Sequence, residues 1–180
     1  MTPESSGLDF LTTTRTELKR LKRLGEKALA QVRVDGQLHA LIDAESNSLA
    51  ILIRHLAGNM RSRWTDFLTS DGEKPGRDRE SEFDSHPEAT REQLMAEWEQ
   101  GWACLFAALD GLRPEDLDLT VLIRGEAHTV VQAILRQLAH YGQHVGQIVF
   151  LAKHLESGRW KSLSIPRGDP GKKAPYKPGV

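Results

Sequence analysis

The chain has 180 residues, 39% of them hydrophobic, and its 24 Lys and Arg nearly balance its 25 Asp and Glu. This length is enough for one domain with a sizeable core, and the balanced charge disfavours a nucleic-acid partner. No apolar run approaches the ~20 residues of a membrane span, and the N-terminus lacks the long apolar core of a signal peptide. We therefore expect a cytoplasmic protein without a membrane partner. Cys104, the single cysteine, excludes an internal disulfide framework and is interpreted as a buried small hydrophobic residue.

The first half of the chain predicts two helices and a long loop. Apolar side chains recur at helical spacing from about Leu8 to Val34, between basic residues that would form a solvated outer face. A second helix is predicted from about Asn47 to Leu68. The polar segment that follows, TSDGEKPGRDRESEFDSHPEA, contains Gly and Pro and predicts a long surface loop. A loop of such length in a compact domain is often functional or mobile.

The second half predicts two more helices with an extended excursion between them. Capping boxes at Thr90–Gln93 and Thr129–Gln132 predict where the third and fourth helices begin, and the fourth runs to about Leu155. Between them, apolar residues alternate at period two before Gly125, which predicts a small β-hairpin or an extended excursion. The expected fold is an all-α four-helix bundle.

The C-terminal segment is rich in Pro and Gly and cannot form a long helix. We expect residues 1–160 to form a single bundle domain and residues 161–180 to form an irregular tail. Trp160, Leu163 and Ile165 are predicted to anchor the first part of this tail on the bundle.

His140 and His144 lie four residues apart on the fourth helix, so both border its buried face. Two imidazoles placed in this way can chelate one divalent cation. His55 lies at a similar edge of the second helix, and if the two helices are neighbours it would complete a three-imidazole site. Three protein ligands leave an open coordination position, which is typical of a catalytic metal. The alternative is that each is a core histidine bonded to a backbone carbonyl.

The evidence that other polar residues belong to the site is weaker. Asn59 lies one turn after His55, and Asn59 and Arg63 could bind a cofactor or orient an anionic substrate, although both residue types are more often surface groups. The other four histidines are interpreted as loop or surface residues (His39, His86 and His154) or as part of the entry to the fourth helix (His128).

These residues resemble the DinB-like superfamily, whose members are four-helix bundles with one histidine in helix 2 and an H-x-x-x-H pair in helix 4. The matching positions are His55 in NSLAILIRHLAGNMRSRWTDFL, and His140 and His144 in RQLAHYGQHVGQI. The strings GNMRSRWTDFLTSDGEKP, RGEAHTVVQAILRQLAHYGQHVGQI and WKSLSIPRG look closest to an uncharacterised branch of it. The resemblance implies a divalent metal held by the three histidines, with nickel or zinc favoured and iron compatible, and a homodimer.

The resemblance leaves two functions open. Some superfamily members resemble thiol transferases that use bacillithiol or mycothiol, including a mycothiol-dependent maleylpyruvate isomerase. The first hypothesis is therefore a metal-dependent thiol transferase or hydrolase, with a low-molecular-weight thiol or water at the open position. The pair lacks the glutamate of H-E-x-x-H, which disfavours a peptidase-style base. The second hypothesis is a non-catalytic, dimeric bundle whose metal is structural or vestigial.

Overall fold

A computed structural model describes residues 3–164, which form four long helices and a small β-hairpin. The helices are α1 (Pro3–Leu29), α2 (Leu49–Trp64), α3 (Arg91–Asp110) and α4 (Val130–Leu155). The antiparallel strands β1 (Thr120–Ile123) and β2 (Glu126–Thr129) lie between α3 and α4. Short 3-10 helices occupy Asp35–His39, Glu80–Phe83 and Pro114–Asp118. The predicted all-α four-helix bundle and its hairpin excursion are confirmed.

The helices pack mainly as two pairs, α2 with α3 and α1 with α4, and α2 also contacts α4. The centre of the bundle holds large side chains that are fully buried, among them Trp98, Trp102 and Tyr141. Because α2 and α4 touch, polar side chains at the edges of their buried faces meet across the bundle. Trp160 and Leu163 pack against the core as predicted, whereas Ile165 lies outside the described residues.

Both predicted capping boxes are present. Thr90 Oγ1 accepts from Gln93 N at 3.2 Å while Gln93 Oε1 accepts from Thr90 N at 2.9 Å. Thr129 and Gln132 repeat this reciprocal pair at the start of α4, with distances of 3.1 and 2.9 Å. Each box satisfies two backbone amides that a helix N-terminus leaves without partners.

Two predicted helix ends were wrong. Helix α1 ends at Leu29 rather than near Val34, and α2 ends at Trp64 rather than near Leu68. The apolar spacing continued past each end because Val32 and Phe67 still pack into the core from non-helical backbone, where they are 2% and 7% exposed. Cys104 packs against the core as a small hydrophobic residue, but it is half-buried rather than buried, with its Sγ 3.6 Å from Thr65 Oγ1.

The loop between α2 and α3 is fastened to the β-hairpin. The hairpin turn places Arg124 and Gly125 at φ 56° and 76°, which is typical of a tight two-residue turn. Asp71 accepts from the backbone amides of both turn residues, at 2.9 and 2.7 Å. Gly72 N donates to Leu122 O at 2.8 Å. The loop that was predicted to lie on the surface is thus partly buried, and it covers one side of α2. Within residues 3–164, no helix has the length and apolar character needed to cross a membrane.

Candidate metal centre

Three histidines from two helices converge on one point. Helix α2 supplies His55, and α4 supplies His140 and His144 from successive turns. One nitrogen from each imidazole lies within 4.8 Å of those of the other two. The ring centroids are 4.5 to 5.4 Å apart, and the planes are close to perpendicular. The structure therefore brings together the three histidines that the sequence selected, which we call the histidine triad.

A buried carboxylate orients the first of these rings. Nδ1 of His55 lies 2.9 Å from Oε2 of Glu82, and both side chains are buried. An ionised carboxylate can only accept, so Nδ1 carries the hydrogen, and in the neutral ring Nε2 is then the atom with a free lone pair. Burial alone would raise the pKa of Glu82, but hydrogen bonds from His55 and Arg77 outweigh burial and lower it. Carboxylate–histidine pairs of this kind commonly fix metal ligands.

Arg77 holds this carboxylate in place. Its Nε and Nη2 donate to the two oxygens of Glu82, each at 2.8 Å. Its Nη1 lies 3.2 Å from Oε1 of Glu73. The two-pronged contact fixes the carboxylate plane and therefore the ring of His55.

The two histidines of α4 each have a nitrogen free to bind a metal. Nδ1 of His144 lies 2.6 Å from Oε1 of Gln147, which leaves Nε2 available. Nε2 of His140 is buried and has no hydrogen-bond partner among the described residues. Burial, followed by the nearby His144 and His55, lowers the pKa of His140 to about 3. Burial also lowers the pKa of His144. Both rings are therefore neutral at neutral pH, the form that binds a metal.

The three imidazoles fit a divalent ion. In a tetrahedral site, two nitrogens that each lie ~2.1 Å from the ion are ~3.4 Å apart, so side-chain shifts of about 1 Å would bring nitrogens within 4.8 Å of one another into range. A buried polar atom without a hydrogen-bond partner calls for an explanation, and an ion or water that binds to it is one such explanation. The unpaired Nε2 of His140 thus supports the assignment.

Asn59 and Arg63 are buried, not surface residues as the more common interpretation had it. Asn59 Oδ1 accepts from the Tyr141 hydroxyl at 3.1 Å, and that hydroxyl accepts from Trp64 Nε1 at 2.8 Å. Burial raises the pKa of Tyr141, so the hydroxyl stays a donor. This chain of bonds joins α2 to α4 immediately beside the histidine triad.

A cavity of about 900 Å³ opens onto the triad. Its wall includes all three histidines, Asn59 and Arg63. A space of this size is in the range of small-molecule sites. The arrangement can hold an ion against one wall and still admit a ligand.

The remaining histidines lie elsewhere. His39 Nε2 is 2.9 Å from Ala89 O, and His128 Nδ1 is 3.0 Å from Glu126 O. His86 pairs with Glu88, and His154 is exposed. None of the four belongs to the triad.

The sequence did not indicate Glu82, because it lies 27 residues from His55 in a segment without periodicity. Gly58, inside α2, was the one feature of the sequence that could have indicated a group packed against this helix. Glycine weakens a helix interior, so its presence there often indicates close approach by another group. A Cβ at Gly58 would overlap Oε1 of Glu82.

The chain was compared with models of known protein families. A family model described as "Protein of unknown function (DUF1572)" matches residues 5–169. The chain belongs to this family. The matched region includes α1 from residue 5 onward, the other three helices and every residue of the histidine triad, but the family description names no activity. Searches of curated proteins and of solved structures gave no match.

Proposed function

We propose that this DUF1572 member is a DinB-like metalloprotein, in which His55, His140 and His144 hold one divalent metal with an open coordination position. The observation that carries the proposal is the unpaired, buried Nε2 of His140, in a ring that has one nitrogen within 4.8 Å of nitrogens of two further imidazoles. Three nitrogen ligands without a thiolate suit zinc, nickel, iron(II) or copper. The resemblance to the superfamily favours nickel or zinc.

We further propose that the site performs thiol transfer or hydrolysis. A divalent metal there would lower the pKa of a bound thiol or water and supply a nucleophile at neutral pH. The protein's own part is to orient the metal ligands and the substrate. Glu82 and Gln147 fix two of the rings through their Nδ1 atoms, and Asn59, held by Tyr141 through its oxygen, lies on the cavity wall where its amide group can contact a ligand.

The oligomeric state is a separate part of the proposal. The superfamily resemblance predicts a homodimer. Phe150 on α4 is 68% exposed, and a second copy would cover such an apolar side chain. Light scattering on the full chain measures the mass directly, and a monomeric mass at micromolar concentration would contradict this part alone.

The test of the metal site compares two histidine variants of one helix. In His144→Ala, elemental analysis after dialysis should show loss of the metal, while circular dichroism shows unchanged helix content. His154→Ala is the matched control, because His154 is exposed in the last turn of α4. Full metal content in His144→Ala, or equal loss in both variants, would overturn the proposal. The metal-loaded protein is then assayed for turnover with low-molecular-weight thiols and electrophiles.

A further inference from the structure

The cavity beside the histidine triad has a strongly basic wall. Among residues 3–164, five arginines line it and no Asp or Glu does: Arg63, Arg77, Arg79, Arg124 and Arg136. They come from α2, the α2–α3 loop, the hairpin turn and α4. Four separate segments of the chain thus place positive charge around the same cavity.

The carboxylates behind this wall do not neutralise it. Glu82 is committed to Arg77, and the exposed Glu80 pairs with Arg79 at 2.8 Å. Glu73 is shared among three arginines, at 3.1 Å from Arg124, 3.2 Å from Arg77 and 3.7 Å from Arg63. No ion pair to Arg136 is found among residues 3–164. The cavity therefore carries an excess of positive charge that a neutral ligand would leave uncompensated.

Of the five arginines, Arg63 has the most buried hydrogen-bond donors without a partner. It is 4% exposed, and its Nε and Nη1 have no hydrogen-bond partner within the described part of the chain. Burial lowers the pKa of its guanidinium in spite of Glu73. A buried cation with two unpaired donors is costly unless a ligand completes its bonds. A Cβ at Gly72 would lie 2.6 Å from Nη1, so the group is also confined.

We propose that this cavity binds the anionic group of a small molecule, a carboxylate or a phosphate, on Arg63 and Arg136 beside the triad. Arginine is suited to both anions because its planar fork donates two parallel hydrogen bonds. If the bound anion is a substrate, this proposal rests on the proposed function, and the substrate is then anionic. The concave form and the volume of about 900 Å³ fit a small molecule.

The experiment is titration calorimetry of the full chain at constant ionic strength, as purified and after chelation. The probes are inorganic phosphate and succinate, with succinamide as the neutral analogue. Phosphate or succinate, or both, should bind with saturation in both protein preparations, and succinamide should not. Which of the two binds more tightly distinguishes a phosphate ligand from a carboxylate.

Three variants locate the binding. Arg63→Lys keeps the charge but loses the fork, and Arg136→Gln removes an exposed charge without disturbing the core. Each should weaken anion binding about tenfold. Arg61→Gln is the matched control, because Arg61 lies on the same helix but lines another pocket, and it should bind like the unaltered chain. If Arg63→Lys fails to fold, Arg136→Gln decides the question.

Three results would overturn the proposal: no saturable binding, equal weakening in Arg61→Gln, or binding that requires metal and disappears in His144→Ala. The last would place the anion on the metal instead of on the arginines. Metal content is measured on the same samples, so failure of the anion site and failure of the metal site are seen separately.

Discussion

His55 on α2 is hydrogen-bonded to Glu82, which lies in the 3-10 helix of the following loop, with 2.9 Å between Nδ1 and Oε2. The carboxylate oxygens are in turn held by Arg77. The orientation of one candidate metal ligand therefore depends on a segment outside the bundle.

Replacing Glu82 by Gln should weaken metal binding about 10- to 100-fold. The amide keeps the shape but removes the charge that fixes the Nδ1–H form of His55. Competition against a chelator of known affinity measures the change. Glu80→Gln is the control, since Glu80 is exposed in the same 3-10 helix. Unchanged affinity in Glu82→Gln would show that the carboxylate does not support a metal ligand.

Gly58→Ala should reduce both stability and metal affinity. Alanine normally stabilises a helix interior by about 0.5–1 kcal/mol over glycine, but here its Cβ would overlap Oε1 of Glu82. Gly146→Ala on α4 is the matched control, because nothing lies within 4 Å of its Cβ position. Urea unfolding should show opposite signs for the two variants, and stabilisation by both would refute the close contact.

Tyr141→Phe should lower the free energy of unfolding by about 1–3 kcal/mol. The variant removes one hydroxyl and leaves two buried groups without partners, the indole N–H of Trp64 and Oδ1 of Asn59. Chemical denaturation monitored by tryptophan fluorescence measures the loss. A change near zero would mean that water or another side chain replaces the hydroxyl.

Asp71→Asn should make stability less dependent on pH in acid. Hydrogen bonds from the backbone amides of Glu73 and Gly125 lower the pKa of Asp71 below its usual 3.8. Because the folded pKa is below the unfolded one, this contribution is complete above the unfolded value and is lost as pH falls through the folded value. Unfolding curves from about pH 6 to about pH 3 should show the difference between the two proteins shrinking. A constant difference would contradict the charged interaction.

The sequence predicted secondary structure well where nearby residues alone determine it. Both capping boxes and the Gly125 turn depend on local chemistry, and each is present. The helix ends were less predictable because Val32 and Phe67 remain buried after the helical backbone stops. An apolar pattern reports burial, and burial continues through a turn as readily as through a helix.

The candidate site was predictable in part for a similar reason. His140 and His144 share a helix face by periodicity, and His55 lies at the edge of another. Glu82 and the arginine-rich wall come from the loop and the hairpin, whose paths no periodic pattern describes. The burial of Arg63 depends on that loop, since Gly72 packs against its guanidinium.

The α2–α3 loop is attached to the rest of the molecule at three successive points. Ser62 Oγ bonds Gly72 O and Lys74 N, each at 3.0 Å, Asp71 binds the hairpin turn, and Glu82 reaches His55. Surface loops usually accommodate inserted residues with little harm. Here the spacing from residue 71 to residue 82 sets the reach of the carboxylate to the imidazole, so this stretch should be as intolerant of length change as a core helix.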